Sequence, residues 1–310
     1  MAGFLSKERI IAPSDYNRWR VPLASIAIHL CIGSVYAWSI YNPPLTRIQG
    51  VVASSADDWS LSAVVWVFTV AIVSLGLAAA FAGKWLEEAG PRKVGVVAAF
   101  CWGGGYLVGA LGILTHKLGL VYLGYGVRGG CGLGMGYVSP VSTLIRWVPD
   151  RRGMATGMAI MGFGGGAMIG TPMKEFFIRM FYQAPDYLGT ASEVSLVTEA
   201  GRRFAEVSGV LREVVVIGSA EVREMIVPGP EGVYLVNTGA TGVAETFLVI
   251  GLIYLAVILI AAFSYRIPAE GWKPEGWAEP NEEKRGSLIS THNVHPVSYT
   301  HLTLPTNREV

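Results

Sequence analysis

Six stretches of the chain are apolar over about 20 residues, the length that a helix needs to cross the hydrocarbon core of a bilayer. Short polar segments separate them, except that a long polar insert lies between the fifth and the sixth. The six predicted membrane helices occupy residues 21–41, 61–81, 94–114, 118–145, 154–177 and 243–265. Hydrophobic residues make up 52% of the sequence and charged residues 15%, whereas soluble domains carry about 25% charged residues. The pattern therefore predicts an all-α integral membrane protein with six transmembrane helices.

Lysine and arginine residues of the short loops set the predicted orientation, because such loops stay on the cytoplasmic side of the membrane. The short loops of the opposite side hold only Arg47 and Lys117. Ten basic residues lie in the N-terminal segment and in the loops after the second and fourth helices: Lys7, Arg9, Arg18, Arg20, Lys84, Arg92, Lys93, Arg146, Arg151 and Arg152. We therefore predict that both termini are cytoplasmic and that the chain lies in the cell (inner) membrane.

The polar insert, residues 179–242, is predicted to form a small α/β unit outside the membrane. Apolar residues recur in it every three or four positions, as on one face of a helix: Leu196, Ala200, Phe204, Val207 and Leu211. Residues 214–217 and 233–236 predict short strands, because apolar β-branched residues there flank the turn-forming sequence Pro228-Gly229-Pro230.

These patterns divide the chain into five parts: helices one to five (1–178), the extracytoplasmic insert (179–242), helix six (243–265), a cytoplasmic linker (266–294) and a tail (295–310). The tail resembles the translated vector or adapter sequence that ends an incomplete reading frame. It is therefore excluded from the fold prediction.

Several classes of function are disfavoured. A net charge of +1 argues against nucleic acid as a partner. The three cysteines, Cys31, Cys101 and Cys131, lie in apolar runs without metal-binding spacing, so we expect no metal and no other cofactor. The sequence has no G-x-x-x-x-G-K-[ST] loop to cradle the phosphates of ATP. No Asp or Glu lies in the middle of a predicted helix to serve an intramembrane hydrolase, so we do not expect an enzyme.

Glycines spaced by four residues are concentrated in the third to fifth predicted helices. The pairs are Gly105/Gly109, Gly126/Gly130, Gly130/Gly134, Gly132/Gly136, Gly162/Gly166 and Gly166/Gly170. This spacing predicts helices whose backbones approach closely. Static packing and a moving gate are both consistent with it.

Two cytoplasmic loops, residues 83–93 and 146–153, each combine an acidic residue, a glycine and several cations. Either these cations only reflect the cytoplasmic position of the loops, or the two loops form a gate that holds neighbouring helix ends together by charge pairing. The candidate gate residues are Gly83, Glu87, Gly90, Arg92, Lys93, Asp150, Arg151 and Arg152.

The first helix supplies three candidate substrate-binding residues. His29 and Tyr36 lie seven residues apart and therefore share a helix face. An O–H or N–H donor on that face could bind a carboxylate oxygen, although His29 could instead bond another helix. For Trp38, the alternative is an anchor at the membrane interface.

Arg128 is the candidate cation, because it lies about ten residues into the fourth predicted helix. A cation at bilayer depth costs roughly 2.5–3.5 kcal/mol, so it should face a cavity or an anion. Snorkelling into water, or pairing with a backbone carbonyl, is the alternative.

The loop Gly83-x3-Glu87-x2-Gly90-x-Arg92-Lys93 resembles the loop signature between the second and third helices of the major facilitator superfamily. It departs from that signature at Glu88 and Pro91. Combined with residues 34–39, 42–45 and 147–155, the sequence resembles the oxalate:formate antiporter family of that superfamily over about residues 20–290.

This resemblance implies the N-terminal half of a twelve-helix transporter in which two six-helix halves surround a central site and work by alternating access. It also implies that cations of the second half hold most of a carboxylate, while aromatic residues of the first half complete the site. Tyr137 matches an aromatic residue that the family places near the cavity. At the position of Arg128 the family implies an apolar residue.

The expected function is therefore secondary active transport of small carboxylates such as oxalate, formate or a related monocarboxylate, by antiport or with a proton. The alternative is a six-helix scaffold or sensor whose outer insert binds a ligand or partner. Expected partners are a small organic anion, the lipid bilayer, and either a missing C-terminal six-helix half or a second copy. We expect the reading frame to be truncated, and we expect residues 1–310 alone not to transport.

Overall fold

A computed structural model describes residues 7–13, 15–274 and 276–277. The described residues up to Glu270 form one compact unit. The predicted cytoplasmic linker is described only up to residue 277, and the predicted tail, 295–310, lies outside the described residues.

Most of the described chain is helical. The helices are α1 (Arg20–Gly33), α2 (Asn42–Leu45), α3 (Leu61–Ala89), α4 (Pro91–Leu114), α5 (Leu118–Val121), α6 (Gly130–Trp147), α7 (Arg152–Phe181) and α8 (Val243–Ser264). A 3₁₀-helical segment, Ser34–Tyr41, joins α1 to α2. A π-helical segment, Tyr122–Gly129, joins α5 to α6.

Four helical stretches of the described chain are long and apolar enough to cross a membrane, judged by length and composition. They are Arg20–Leu45, Leu61–Ala89, Pro91–Leu114 and Val243–Ser264. The chain is thus a mostly helical protein of membrane-spanning composition.

Local chemistry explains the boundary between α3 and α4. The Ser60 side chain accepts a hydrogen bond from the backbone N–H of Ala63 and so caps the start of α3. At the other end Gly90 has a φ of 82°, a conformation that glycine adopts without a steric penalty. Pro91 then begins α4, where its missing N–H is not needed.

The predicted close approach of helices at glycines is confirmed. A Cβ atom on Gly130 of α6 would lie 2.5 Å from the carbonyl oxygen of Ala71 in α3. A Cβ on Gly166 of α7 would lie 2.5 Å from the carbonyl oxygen of Leu30 in α1. At both places the neighbour is backbone, so only glycine permits this helix spacing.

The insert forms a five-stranded antiparallel sheet with the spatial order β1-β5-β4-β3-β2. Its strands are β1 (Tyr187–Gly189), β2 (Leu196–Glu199), β3 (Arg202–Val207), β4 (Val210–Ile217) and β5 (Gly232–Leu235). The strand predicted at residues 214–217 lies within β4, and the strand predicted at 233–236 overlaps β5 in three of its four residues.

The predicted helix over residues 196–211 is wrong, because Leu196, Ala200, Phe204, Val207 and Leu211 lie in β2, β3, β4 and the turn between β2 and β3. Two-residue turns reverse the chain on either side of β3. Their residues all have positive φ: Ala200 50°, Gly201 79°, Ser208 55° and Gly209 80°. Such turns match the twist of antiparallel strands and favour hairpins. The insert is therefore a sheet rather than an α/β unit.

The sheet is attached to the loop between α2 and α3. Val52 of that loop packs in a hydrophobic cluster with five residues of the insert: Val215, Ile217, Met225, Tyr234 and Val236. Arg202 of β3 makes ion pairs with Asp57 of the same loop at 2.7 Å and with Glu213 of β4 at 3.1 Å. The Arg202 guanidinium accordingly lowers the pKa of the Asp57 carboxyl.

Candidate functional site

Rings from α1, the Ser34–Tyr41 segment, α6 and α7 meet at one surface, which we call the aromatic face: His29, Tyr36, Tyr137 and Phe163. The Phe163 ring is central, with its centroid 5.3 Å from that of Tyr36 and 5.2 Å from that of Tyr137. The His29 and Tyr137 rings are 5.5 Å apart. The structure thus brings together three predicted substrate-binding residues, with Phe163 between them.

Exposure divides the aromatic face into a front and a back. Tyr36 is 51% exposed, whereas His29 is fully buried. The Nε2 atom of His29 lies 3.3 Å from the carbonyl oxygen of Tyr137, and because a carbonyl only accepts, Nε2 donates in this contact. His29 therefore joins α1 to α6, and Tyr36 is the most exposed side chain of this face, since Tyr137 and Phe163 are half-buried.

The close contact of α7 with α1 positions Phe163. A Cβ atom on Gly162 would lie 2.9 Å from the Cβ of His29. The glycines around Phe163 thus let α7 press its aromatic ring against the rings of α1 and α6.

Trp38 does not belong to the aromatic face. It is 3% exposed, and its ring centroid lies 4.5 Å from that of Tyr125 and 5.6 Å from that of Tyr41. Its place is in the aromatic core of the helical unit.

Arg128 is also separate from the aromatic face. It lies exposed on the π-helical segment, and its Nη2 donates to the carbonyl oxygen of Phe100 at 3.2 Å. The guanidinium covers Gly104, where a Cβ atom would lie 2.8 Å from Nη2. Of the alternatives set out for Arg128, the structure shows pairing with a backbone carbonyl.

Arg92, a candidate gate residue, is 6% exposed. Its Nη2 atom donates to the carbonyl oxygens of Phe263 and Tyr265, at 2.9 and 3.3 Å. Backbone carbonyls at a helix C-terminus have no partner within the helix. Arg92 therefore ties the start of α4 to the end of α8.

Asp150, in the other gate loop, pairs with the N-terminal segment. Its carboxylate accepts two hydrogen bonds from Arg18, at 2.8 and 3.2 Å. Arg18 lowers the pKa of the Asp150 carboxyl by these bonds and by its charge. Arg151 approaches Asp150 at 3.9 Å.

The remaining gate candidates lie mainly on the surface. Gly90 is buried at the bend between α3 and α4. The others are exposed or half-buried: Gly83, Glu87, Lys93 and Arg152. Arg92 and Asp150, the two gate candidates with side-chain bonds described above, bind different partners: Arg92 binds the end of α8, and Asp150 binds Arg18 of the N-terminal segment.

Lys174 of α7 is a buried cation that the sequence analysis missed. It is 0% exposed, and its Nζ donates to the carbonyl oxygens of Ser34 at 2.7 Å and Ala37 at 3.4 Å. Nζ also lies 4.8 Å from the centroid of the Tyr41 ring. The sequence gives only a weak signal for Lys174, because it lies near the end of the predicted helix 154–177, where a cation costs less than at the centre of the bilayer.

A cavity of about 260 Å³ opens where the Ser34–Tyr41 segment, α7 and the insert meet. Ser39 and Pro43 line it from one side, Glu175 and Arg179 from α7, and Glu224 from the insert. It carries charges of both signs, so it does not by itself select an anion.

Known proteins resemble about half of the chain. It is 29% identical over 160 residues to the uncharacterized MFS-type transporter YhjX of Escherichia coli (strain K12). It is 28% identical over 213 residues to the apicoplast pyruvate carrier 1 of Toxoplasma gondii, and 28% identical over 167 residues to the oxalate:formate antiporter of Oxalobacter formigenes. The matches cover 51%, 58% and 53% of this chain but only 37%, 39% and 37% of those relatives. The chain thus spans less than half the length of each.

The family model of the Major Facilitator Superfamily matches residues 23–187, more than half of the 310 residues. The matched region runs from α1 through α7 and includes every residue of the aromatic face. The chain therefore belongs to the Major Facilitator Superfamily of membrane transporters.

Proposed function

We propose that the protein is a secondary active transporter of small carboxylates that works by alternating access, by antiport or together with a proton. The observation that supports the proposal most directly is the aromatic face, where the exposed side chain of Tyr36 packs against the ring of Phe163, which in turn packs against the ring of Tyr137. A phenolic O–H can donate to a carboxylate oxygen, and aromatic rings exclude competing water. Two relatives, named for pyruvate and for oxalate and formate, support a carboxylate as substrate.

The proposed topology has six transmembrane helices, with both termini on the cytoplasmic side of the inner membrane. Besides the four stretches of spanning composition, residues 118–147 and α7 would cross the bilayer. At 30 residues, α7 is long enough to do so. The insert would lie outside the membrane, and residues 266–294 would form a cytoplasmic linker.

Tyr36 is proposed as the substrate's hydrogen-bond donor, with Tyr137 and Phe163 as walls of the site and His29 behind them. Trp38 would act indirectly, through the core beneath the Ser34–Tyr41 segment. Arg128, remote from this face, would contribute only long-range attraction for an anion. The gate residues at the cytoplasmic end would hold α4 to α8 and the N-terminal segment to the loop after α6.

A second six-helix half, or a second copy of the chain, is proposed to complete the site. Large apolar side chains of α7 are more than half exposed: Ile160, Met161, Met168, Ile169 and Phe176. Lipid or a partner must cover them. A central site between two halves requires a partner on the side that presents Tyr36.

The test is uptake of radiolabelled oxalate, formate and pyruvate by proteoliposomes that contain the complete product of the gene. We expect saturable uptake of at least one of them. Tyr36→Phe should raise its KM about tenfold, since a hydrogen bond to a charged group contributes about 1.5 kcal/mol or more. The matched control is Tyr187→Phe in the insert, where the hydroxyl donates to the carbonyl oxygen of Glu231. Absence of uptake of all three carboxylates, or equal effects of the two substitutions, would contradict the proposal.

A further inference from the structure

We propose that Lys174 is a positioning residue that fixes the Ser34–Tyr41 segment in the conformation that presents Tyr36 to the substrate. This inference rests on the proposed function insofar as it takes Tyr36 to be a substrate ligand. The structural part, that Lys174 sets the place of Tyr36, stands on geometry alone.

The first helical stretch changes its geometry at the point where Tyr36 lies. α1 ends at Gly33, and a 3₁₀-helical segment follows it. Ala37 has φ −88° and ψ 27°, values outside the helical range. A change from α-helical to 3₁₀-helical geometry and a kink both disturb the regular hydrogen bonds of the backbone. Carbonyls at such a break need donors from elsewhere.

Lys174 supplies these donors on both sides of Tyr36. Its Nζ donates to Ser34, two residues before Tyr36, and to Ala37, the residue after it. One ammonium group therefore clamps the turn that carries the Tyr36 side chain. The Tyr41 ring, 4.8 Å from Nζ, adds a third contact from the end of the same segment.

The packing of α7 on α1 determines that Lys174 reaches this turn. A Cβ atom on Gly170 would lie 2.9 Å from the Cβ of Ser34. Lys174 follows Gly170 by one helical turn and so lies on the same face of α7. The glycines that bring the two helices together thus also deliver the lysine to the break.

Backbone carbonyls and an aromatic ring, rather than carboxylates, surround the Lys174 amino group. Among the described residues no carboxylate lies within 4 Å of its Nζ, and the groups around it are backbone carbonyls and an aromatic ring. Tyr254 of α8 faces the same region, since its hydroxyl lies close to Gly170. A buried cation without a counter-ion is costly. Holding the break is the role that these contacts support.

Disulfide crosslinking tests the positioning directly. In a background with Cys31, Cys101 and Cys131 replaced by alanine, Tyr36→Cys and Phe163→Cys form a reporter pair for the aromatic face. Trp59→Cys and His116→Cys form the control pair, because their stacked rings are 5.0 Å apart in loops remote from the break. Each pair is combined with Lys174→Met, which keeps the length but not the donors, and with Lys174→Arg, which keeps donors.

We expect Lys174→Met to slow oxidation of the 36–163 pair at least fivefold and to leave the 59–116 pair unchanged. Lys174→Arg should restore the 36–163 rate to within about twofold. The proposal is overturned if Lys174→Met leaves the 36–163 rate unchanged, if it slows both pairs alike, or if Lys174→Arg behaves as Lys174→Met does.

Crosslinking needs no transport, so its outcome is separate from that of the uptake experiment. If uptake fails while the crosslinking result is as expected, Lys174 positions the segment and the proposed function is wrong. If uptake depends on Tyr36 while Lys174→Met does not change the oxidation rate of the 36–163 pair, the positioning role is wrong and the proposed function stands.

Discussion

At the scale of single residues, several charged side chains of the helical part act at helix ends, breaks and loops. Arg92 binds the last carbonyls of α8, and Lys174 binds the carbonyls of the break after α1. Arg18 binds Asp150 in the loop before α7. Each of these groups satisfies backbone or loop atoms that regular secondary structure leaves without partners.

The pair of Arg18 and Asp150 gives a prediction for stability and pH. Arg18 holds the pKa of Asp150 below its ordinary value of about 4, so the pair stabilises the folded chain above that pH. The stabilisation is lost as the pH falls through the lowered pKa. Asp150→Asn should therefore reduce the free energy of unfolding at neutral pH by about 0.5–1 kcal/mol, because both side chains are about one fifth exposed.

Thermal unfolding in detergent at pH 7 and at pH 3 or below measures this difference between the wild type and Asp150→Asn. The difference should shrink at the lower pH. Arg151→Gln is the control, since Arg151 is 64% exposed and lies 3.9 Å from Asp150. A difference that persists unchanged at low pH would show that the ion pair is not its source.

At the scale of elements, glycine sets the distance between helices. Gly130→Ala would place a methyl group 2.5 Å from the carbonyl oxygen of Ala71, and overpacking of this kind costs about 1–3 kcal/mol. We expect a lower unfolding temperature and a lower yield of folded protein. Gly83→Ala is the matched control, since a Cβ at Gly83 meets nothing within 4 Å. Equal stability of the two variants would contradict the packing argument.

Turns set the structure of the insert. Gly209 has a φ of 80°, and a Cβ there would meet nothing within 4 Å, so a substitution tests conformation alone. Gly209→Val should destabilise the β3–β4 hairpin by about 1–2 kcal/mol, whereas Gly209→Asn should be tolerated better. Amide hydrogen exchange of β3 and β4 measures the effect. Equal protection in the two variants would argue against a strained turn.

The sequence predicts the long helices well because burial in lipid requires uninterrupted apolar runs. The sequence-based prediction fails in the insert, because the apolar residues between Leu196 and Leu211 have the spacing of a helix. The two-residue turns that contain Gly201 and Gly209 instead produce β-hairpins. Gly next to a small residue was the available signal for those hairpins. The contact of Lys174 with Ser34 and Ala37 could not be predicted, because it depends on the register between α7 and the break after α1.

At the scale of the whole molecule, the described unit combines the helices of a Major Facilitator Superfamily chain with a sheet that is fixed to the loop between α2 and α3. The ion pair between Arg202 and Asp57 and the burial of Val52 make the sheet part of this unit. In a transporter that works by alternating access, the sheet would then move together with this unit.

The most direct test of the central claim is carboxylate protection of a cysteine at position 36. Tyr36→Cys, in the complete gene product without its native cysteines, is labelled in membrane vesicles by a membrane-impermeant thiol reagent. Tyr187→Cys in the insert serves as the control. We predict that saturating oxalate, formate or pyruvate changes the labelling rate at position 36 at least threefold and leaves the rate at position 187 unchanged. Labelling at position 36 that responds to none of these carboxylates would contradict a carboxylate site at the aromatic face.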